Sequence, residues 1–291
     1  MVRDKTFGGR MFDTVNVLLL ALVAIVTFLP FMHVMAVSFA TESEVANKPF
    51  LLFPTTFTLD SYRYILSTDS IFRALGVSVG VTVVGTFVSM LLTSLMAYGL
   101  TRKDLDGRKF FNFLIVFSML FNPGIIPLFL VVKEMALIDS YWSLILPVAV
   151  NAFNLIILRS FFSNLPDGLE ESAKIDGCND FGILFRIVLP LSMPAIATIS
   201  LFYAVNYWNT YFNAVMFLNT AEKWPIQVLL RQIVIVASGF TADTSDLSFV
   251  KPPEQTIKMA VIAISTLPIL IVYPFLQKYF VKGALVGSVK G

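Results

Sequence analysis

The chain alternates between long apolar runs and short polar segments. Six runs are long enough to cross a bilayer as helices, which takes about 20 mostly apolar residues. They cover approximately 12–39, 73–100, 110–132, 140–162, 190–218 and 257–281. Only helices and closed barrels satisfy their backbone in lipid, and these runs are too long and too continuously apolar for barrel strands. The pattern therefore predicts an all-α membrane protein with about six transmembrane helices.

Composition also indicates that lipid surrounds much of the chain. Of the 291 residues, 57% are hydrophobic and 14% are charged, and the mean hydropathy is +0.80. A soluble domain carries roughly 25% charged residues, so this chain has too few charges to cover a water-exposed surface. The net charge of +2 and the lack of a long basic run argue against a nucleic-acid partner. The first run is too long for the core of a cleaved signal peptide, so we expect a retained helix.

Basic residues in short loops predict the orientation. They gather at both ends of the chain and after the second run, as Arg3, Lys5, Arg10, Arg102, Lys103, Arg108, Lys109, Lys278, Lys282 and Lys290. With six spans these three places share one side, which the positive-inside rule identifies as the cytoplasm. Both termini, and the segment 165–190, are therefore expected to be cytoplasmic.

The polar segment between the fourth and fifth runs has the features of a short helix that ends in a turn. Asn164 or Asp167 is a candidate helix cap. Glu170 and Glu171 follow in the first turn, where the helix dipole favours acidic side chains. Gly177 is expected to end this helix in a left-handed conformation.

A second short helix is expected directly after this turn. Phe181, Leu184 and Phe185 fall on one of its faces. Together with Ala173 they predict an apolar patch exposed to the cytosol. Such a patch needs a cover, which is either the chain's own helices or a partner protein.

The spacing in this segment resembles the signature loop of bacterial ABC-importer permeases, which reads Glu-Ala-Ala, three residues, Gly, nine residues, Ile, one residue, Leu-Pro. The matching positions are Glu171-Ser172-Ala173, Gly177, Ile187, Leu189 and Pro190. Serine replaces the usual second alanine, a small-for-small change. The six spans and the tail "VYPFLQKYFVKGALVGSVKG" are also similar to the carbohydrate-uptake branch, the relatives of the maltose importer's smaller permease.

This resemblance implies that residues 165–190 form a coupling loop, which sits in a cleft of a cytoplasmic ATPase subunit. The ATPase-coupling residues it implies are Glu170, Glu171, Ser172, Ala173, Asp176 and Gly177. Glu171 would be the charged anchor, Ala173 would allow close approach, and Gly177 would make the bend.

The resemblance also implies a fold and a set of partners. Residues 1–291 would form a single transmembrane domain of the ABC importer type I permease fold, located in the bacterial cytoplasmic (inner) membrane. The partners would be a second, homologous permease subunit, a cytoplasmic ATPase dimer and an extracytoplasmic solute-binding protein. No cofactor is expected in this chain, because ATP and Mg would be bound by the ATPase.

Nothing in the sequence indicates an enzyme. It contains no G-x-x-x-x-G-K-[ST] phosphate loop, no G-x-S-x-G elbow and no H-E-x-x-H pair. His33 is the single histidine and Cys178 the single cysteine, so this chain alone cannot build a histidine-based metal site or a disulfide. We expect a transport subunit without an ATPase site of its own.

Polar residues at membrane depth are candidates for the substrate path. The fifth run supplies Asn206, Tyr207, Trp208, Asn209, Tyr211 and Asn213, and earlier runs supply Asn122, Asn151 and Asn154. Amides bond sugar hydroxyls, and aromatic faces stack on pyranose rings. The alternative is that the amides join neighbouring helices and the aromatic residues lie at the membrane interface. The prolines of "FNPGIIP" predict that the third run is not a straight helix.

The outside loop, 219–256, is too long to be a mere connector. The resemblance suggests that its tip contacts the binding protein through Ser238, Gly239, Phe240 and Thr241; the alternative is an ordinary solvated loop. The "PPEQTIKMA" pattern and the "GSVKG" end resemble permeases for oligosaccharides released from complex polysaccharides, alginate among them.

The sequence therefore predicts a permease subunit of an ATP-driven oligosaccharide importer. The alternatives are an ABC permease for a non-sugar solute and a secondary transporter. The second would require charged residues inside the spans for ion coupling, and the spans contain almost none.

Overall fold

The computed structural model describes residues 6–48, 50–121, 123–237 and 255–288, and the regular elements within these ranges are all helical. The α-helices are α1 (Phe7–Ser38), α2 (Glu42–Asn47), α3 (Asp60–Leu66), α4 (Asp69–Thr101), α5 (Arg108–Leu120), α6 (Ile125–Glu134), α7 (Trp142–Ile145), α8 (Ala152–Ser163), α9 (Asp167–Ile175), α10 (Asp180–Ile183), α11 (Leu189–Leu191), α12 (Met193–Trp208), α13 (Phe212–Phe217), α14 (Ile226–Ala237) and α15 (Gln255–Ser288). Short 3₁₀ turns cover Leu146–Val148 and Ala221–Lys223, and a π-turn covers Leu184–Val188. The all-α prediction is confirmed.

By length and composition, the described residues contain three helices that can each cross a membrane, or up to six spans if each bent helix pair counts as one. The three continuous spans are α1, α4 and the first part of α15. The bent pairs combine α5 with α6, α7 with α8, and the α10–α11 stretch with α12. This agrees with the expectation of about six spans.

Each broken span has a local cause. Gly124 adopts a positive φ of 81° between α5 and α6, next to Pro123. The second pair bends by 55°, between the turn that contains Pro147 and α8, which Asn151 caps. The third pair bends by 88° at Ser192, between Pro190 and Pro194, which each remove a backbone hydrogen-bond donor. The fifth apolar run was expected to be one helix over 190–218, but α12 ends at Trp208.

The chain forms two compact units, Met1–Asp69 with Leu230–Thr266, and Ser70–Leu229 with Leu267–Gly291. The first unit contains a small apolar cluster of Ala36, Val37, Ala40, Val45 and Leu51, against which Met259 packs. His33 belongs to the same unit, where its ring stacks on Phe50 with centroids 4.9 Å apart. Its Nδ1 lies 3.1 Å from the backbone nitrogen of Leu51, so this histidine has a structural role.

Glu44 organises the loop that follows α2. Its carboxylate accepts hydrogen bonds from the Thr55 and Thr56 amides at 2.9 and 3.2 Å and from the Thr55 hydroxyl. Lys48 lies 3.2 Å away. These donors, led by the Thr55 hydroxyl, lower the pKa of Glu44 to about 2 because they stabilise the charged form.

We expect Glu44→Gln to lower the thermal midpoint of the protein in detergent at pH 7. A lowered folded-state pKa means that the stabilisation is complete above the ordinary value of 4.5 and is lost as the pH falls through about 2. The difference from wild type should therefore shrink between pH 7 and pH 3. Exposed Glu134→Gln is the control, and an unchanged difference at pH 3 would contradict this assignment.

Two apolar clusters lie among the described residues of the second unit. One joins α4 and α12 through residues such as Val81, Ile199 and Tyr203. The other joins the end of α4 to α8, α9 and the π-turn, and includes Tyr98 and Leu158. The predicted coupling segment 165–190 contributes to the second cluster, and α12, which carries predicted path residues, contributes to the first.

Candidate functional site

The predicted coupling loop forms two short helices with a glycine turn between them. Gly177 has a φ of 79°, which confirms the expected left-handed turn. Neither proposed cap starts α9: Pro166 occupies the cap position without a side-chain hydrogen bond, and Asn164 ends α8. Asn179 caps α10 instead, and its side chain accepts the Gly182 amide at 2.8 Å.

The apolar face of this segment is divided between the interior and the surface. Ala173, expected to be exposed, is 7% exposed and packs in the cluster of Tyr98 and Leu158. Leu184 was expected to lie beside Phe181, but it is 1% exposed whereas Phe181 is 66% exposed. Phe185, four residues after Phe181, is also exposed at 48%, so Leu184 points into the interior while the two phenylalanines lie at the surface.

The outer surface of the segment remains available to a partner. Ile175 on α9 and Phe185 in the π-turn are exposed apolar side chains. The acidic residues Glu171 and Asp176 are also exposed, as is Gly177. Chain folding thus covers one face, and the other combines acidic with apolar groups.

Arg102, which sequence analysis used only as an orientation signal, anchors this segment. Its guanidinium donates to Glu170 of α9 and to Asp180 of α10 at 2.7 Å. The guanidinium carbon lies 4.2 Å from the centroid of the Tyr98 ring. No local pattern could reveal this contact, since Arg102 and Glu170 are 68 residues apart.

A cavity of about 860 Å³ lies between parts of α5, α8 and α12 and the breaks of the third and fourth spans. It brings together Asn151, Asn154 and Asn206 from the predicted path. Tyr203 and Phe202 contribute aromatic surface to the same lining. Asn122 lies outside the described residues.

Several residues predicted for the path do not line this cavity. Tyr207 and Trp208 are only 1% and 4% exposed. The exposed Asn209 donates its amide to the Val205 carbonyl of its own helix at 2.8 Å. Tyr211 and Asn213 follow the end of α12, where the helical spacing that grouped them with Asn206 is interrupted. Their role in the path stays a prediction.

Buried phenol groups join α12 to α4 and to the fourth span. The Tyr203 hydroxyl lies 2.8 Å from Thr93 Oγ1 and accepts the Asn151 amide at 3.0 Å. The Tyr207 hydroxyl lies 2.8 Å from Ser89 Oγ. Sequence analysis placed Tyr207 on the path, and the structure shows its side chain packed between helices.

Asp139 forms a second polar centre, in the connection between α6 and α7. Its carboxylate accepts the backbone amides of Asn219 and Thr220, both at 3.0 Å, and the Thr220 hydroxyl at 2.6 Å. Lys223 Nζ lies 2.7 Å from the same carboxylate. The Lys223 hydrogen bond, followed by those of Thr220, holds the pKa of Asp139 well below its usual range. This network joins the connection between α6 and α7 to the loop that follows α13.

The remaining site predictions fall outside this geometry. Ser238, Gly239, Phe240 and Thr241 lie outside the described residues. Within the described part of the chain, no group of three or more His, Cys, Asp or Glu side chains could hold a metal ion.

Comparison with known proteins defines the class. Residues 89–286 match the family model for the binding-protein-dependent transport system inner membrane component. The chain is 66% identical over 284 residues to the polygalacturonan/rhamnogalacturonan transport system permease protein YtcP of Bacillus subtilis (strain 168), covering 97% of this chain and 99% of YtcP. It is 54% identical over 288 residues to protein LplC of the same strain, covering 99% of this chain and 97% of LplC.

A solved structure has the same fold. The chain matches the crystal structure of a bacterial ABC transporter involved in the import of the acidic polysaccharide alginate, with a TM-score of 0.87 and 31% identity. The match covers 95% of this chain and 99% of that chain. This chain therefore belongs to the family of binding-protein-dependent transport system inner membrane components. The predicted permease function, the type I permease fold and the multi-pass membrane location are confirmed.

Proposed function

We propose that this chain is one of two permease subunits of an ATP-driven importer for oligosaccharides released from acidic polysaccharides. The observation that carries the proposal is the 66% identity to a polygalacturonan/rhamnogalacturonan permease over nearly the full length of both chains. The alginate importer supports the same substrate class at 31% identity. Nothing in these similarities favours a non-sugar solute or a secondary transporter.

The cavity beside α12 is the part of the translocation path that we assign to this chain. Its lining combines amide groups with the aromatic surfaces of Phe202 and Tyr203. Amides can donate to and accept from sugar hydroxyls, and aromatic rings supply apolar contact area. The partner permease would complete the enclosure.

The exposed face of α9 and its turn is the proposed ATPase contact. Glu171, Ser172, Asp176 and Gly177 are exposed there, so a cleft on another protein can reach them. Glu170 and the buried Ala173 would act from behind this face, through the packing of the segment. ATP and Mg would bind to the ATPase dimer, and this chain would have no nucleotide site.

The remaining assembly follows from the orientation. Both termini and residues 165–190 would lie in the cytoplasm, and the loop 219–256 would face the solute-binding protein. Residues 238–241 are the proposed contact with that protein. A second, homologous permease subunit would complete the transmembrane pair.

The test is reconstitution of the chain with its partner permease, ATPase and binding protein in proteoliposomes. We expect oligogalacturonides carried by the binding protein to stimulate ATP hydrolysis and to accumulate inside the vesicles. Neutral oligosaccharides and amino acids are the comparison solutes. Stimulation by a non-sugar solute alone, or uptake without any ATPase, would contradict the proposal.

We expect Asn206→Leu to leave folding unchanged and to reduce oligosaccharide uptake. Asn206 is exposed and lines the cavity, so the substitution removes an amide from the proposed path. The expected loss is about tenfold, equivalent to one or two hydrogen bonds. Asn209→Leu is the contrast, because the Asn209 side chain lies outside the cavity lining and bonds to Val205. Equal losses in both variants would argue against this cavity as the path.

A further inference from the structure

Arg102 connects three helices at one end of the second unit. It follows α4 directly, and its two terminal nitrogens donate to Glu170 of α9 and to Asp180 of α10. Its side chain is 15% exposed, and the flat guanidinium lies against the Tyr98 ring. Partial burial reduces solvent screening, so such a contact is more effective than an open surface ion pair.

The two carboxylates lie on opposite sides of the glycine turn. Backbone bonds close this turn, from the Gly177 amide to the Lys174 carbonyl at 3.0 Å and from the Cys178 amide to the Ala173 carbonyl at 2.9 Å. Without a cation between them, the acidic groups of α9 and α10 would repel each other. A planar guanidinium can hold both at once, whereas the point charge of a lysine cannot reproduce this fork.

The helix that ends beside Arg102 also contacts a residue of the cavity wall. Thr93 of α4 lies within hydrogen-bonding distance of the Tyr203 hydroxyl, and Tyr203 is part of the cavity lining. Thr93 and Arg102 are separated by about 14 Å along the helix axis, at 1.5 Å per residue. A single continuous helix therefore links the guanidinium to the cavity wall.

We propose that Arg102 is a positioning residue for energy coupling. It fixes the angle between α9 and α10 and joins both to α4, so that movement of the coupling segment reaches the cavity wall through α4. The inference rests on the proposed ATPase contact at residues 165–190. Loss of Arg102 leaves the exposed docking face in place but weakens the attachment of α9 and α10 to α4.

The test compares Arg102→Gln, Arg102→Lys and Asp180→Asn in the reconstituted complex, with exposed Lys109→Gln as the control. The readouts are co-purification of the ATPase, hydrolysis stimulated by the loaded binding protein, and oligosaccharide accumulated per ATP hydrolysed. In Arg102→Gln the ATPase should still bind and hydrolyse ATP. The transport-to-hydrolysis ratio should fall roughly fivefold or more, a typical coupling effect between sites. Arg102→Lys and Asp180→Asn should give smaller reductions.

A merely structural role would lower hydrolysis and uptake together and leave their ratio unchanged. An unchanged ratio in Arg102→Gln, or an equal fall in Lys109→Gln, would overturn the inference. If Arg102→Gln does not assemble, Asp180→Asn decides the question. Asp180 is 64% exposed, and its substitution weakens only one of the two carboxylate contacts of Arg102. A wild-type complex without stimulated hydrolysis would instead overturn the proposed function itself.

Discussion

Replacing Gly85 with leucine is expected to prevent stable folding of the second unit. A Cβ atom at Gly85 would lie 2.8 Å from carbons of the Tyr207 ring, closer than real Cβ contacts. The ring has little room to move, because Tyr207 is 1% exposed and its hydroxyl lies 2.8 Å from Ser89 Oγ and donates to the Ile145 carbonyl at 3.3 Å. Overpacking alone costs about 1–3 kcal/mol, and displacing the phenol adds about 1 kcal/mol per lost bond.

The measurement is the thermal midpoint and the size-exclusion profile in detergent. Gly80→Leu is the matched control on the same helix, since nothing lies within 4 Å of a Cβ built there. Shortening the partner side chain in a Gly85→Leu, Tyr207→Leu double variant should recover part of the stability. Identical profiles for Gly85→Leu and Gly80→Leu would contradict the proposed close contact.

Reversing the charge of Glu171 is expected to abolish ATP hydrolysis stimulated by the loaded binding protein. Glu171 is exposed on α9, so the change should remove a contact with the ATPase without disturbing the interior. Gly177→Arg should have a similar effect, because it adds a bulky side chain to the docking face. At a φ of 79° any non-glycine residue also costs about 1–2 kcal/mol.

The readouts are co-purification of the ATPase and the hydrolysis rate with and without loaded binding protein. Lys109→Gln is the control, since Lys109 is exposed on α5 and lies outside the proposed ATPase contact. It should behave as wild type. Full stimulation in Glu171→Lys would show that the ATPase is contacted elsewhere.

Local patterns were sufficient to locate the elements. The long apolar runs predicted the spans because lipid demands a continuous apolar helix. The prolines of the third run predicted its break, and glycine at position 177 predicted the left-handed turn that the structure has. The spacing of the coupling motif led to the family, which the comparisons confirm.

Local patterns could not predict which side of each helix is buried. In a membrane, the lipid and the protein interior are both apolar, so the sequence of a span gives a weak signal for its buried side. Tyr207 and Asn206 are neighbours in the sequence, yet one packs against α4 and the other lines the cavity. Similarly, Phe181, Leu184 and Phe185 share one predicted apolar face, yet only Leu184 is buried.

The sequence by itself determined that this protein spans the membrane with helices, and that one polar segment carries a permease coupling motif, because both depend on short-range order along the chain. Only the tertiary structure decided which polar groups meet. The Ser89–Tyr207 contact joins residues 118 positions apart, and Arg102 contacts Glu170 and Asp180, which follow it by 68 and 78 positions. Such pairings depend on how helices pack in three dimensions, which local periodicity does not encode.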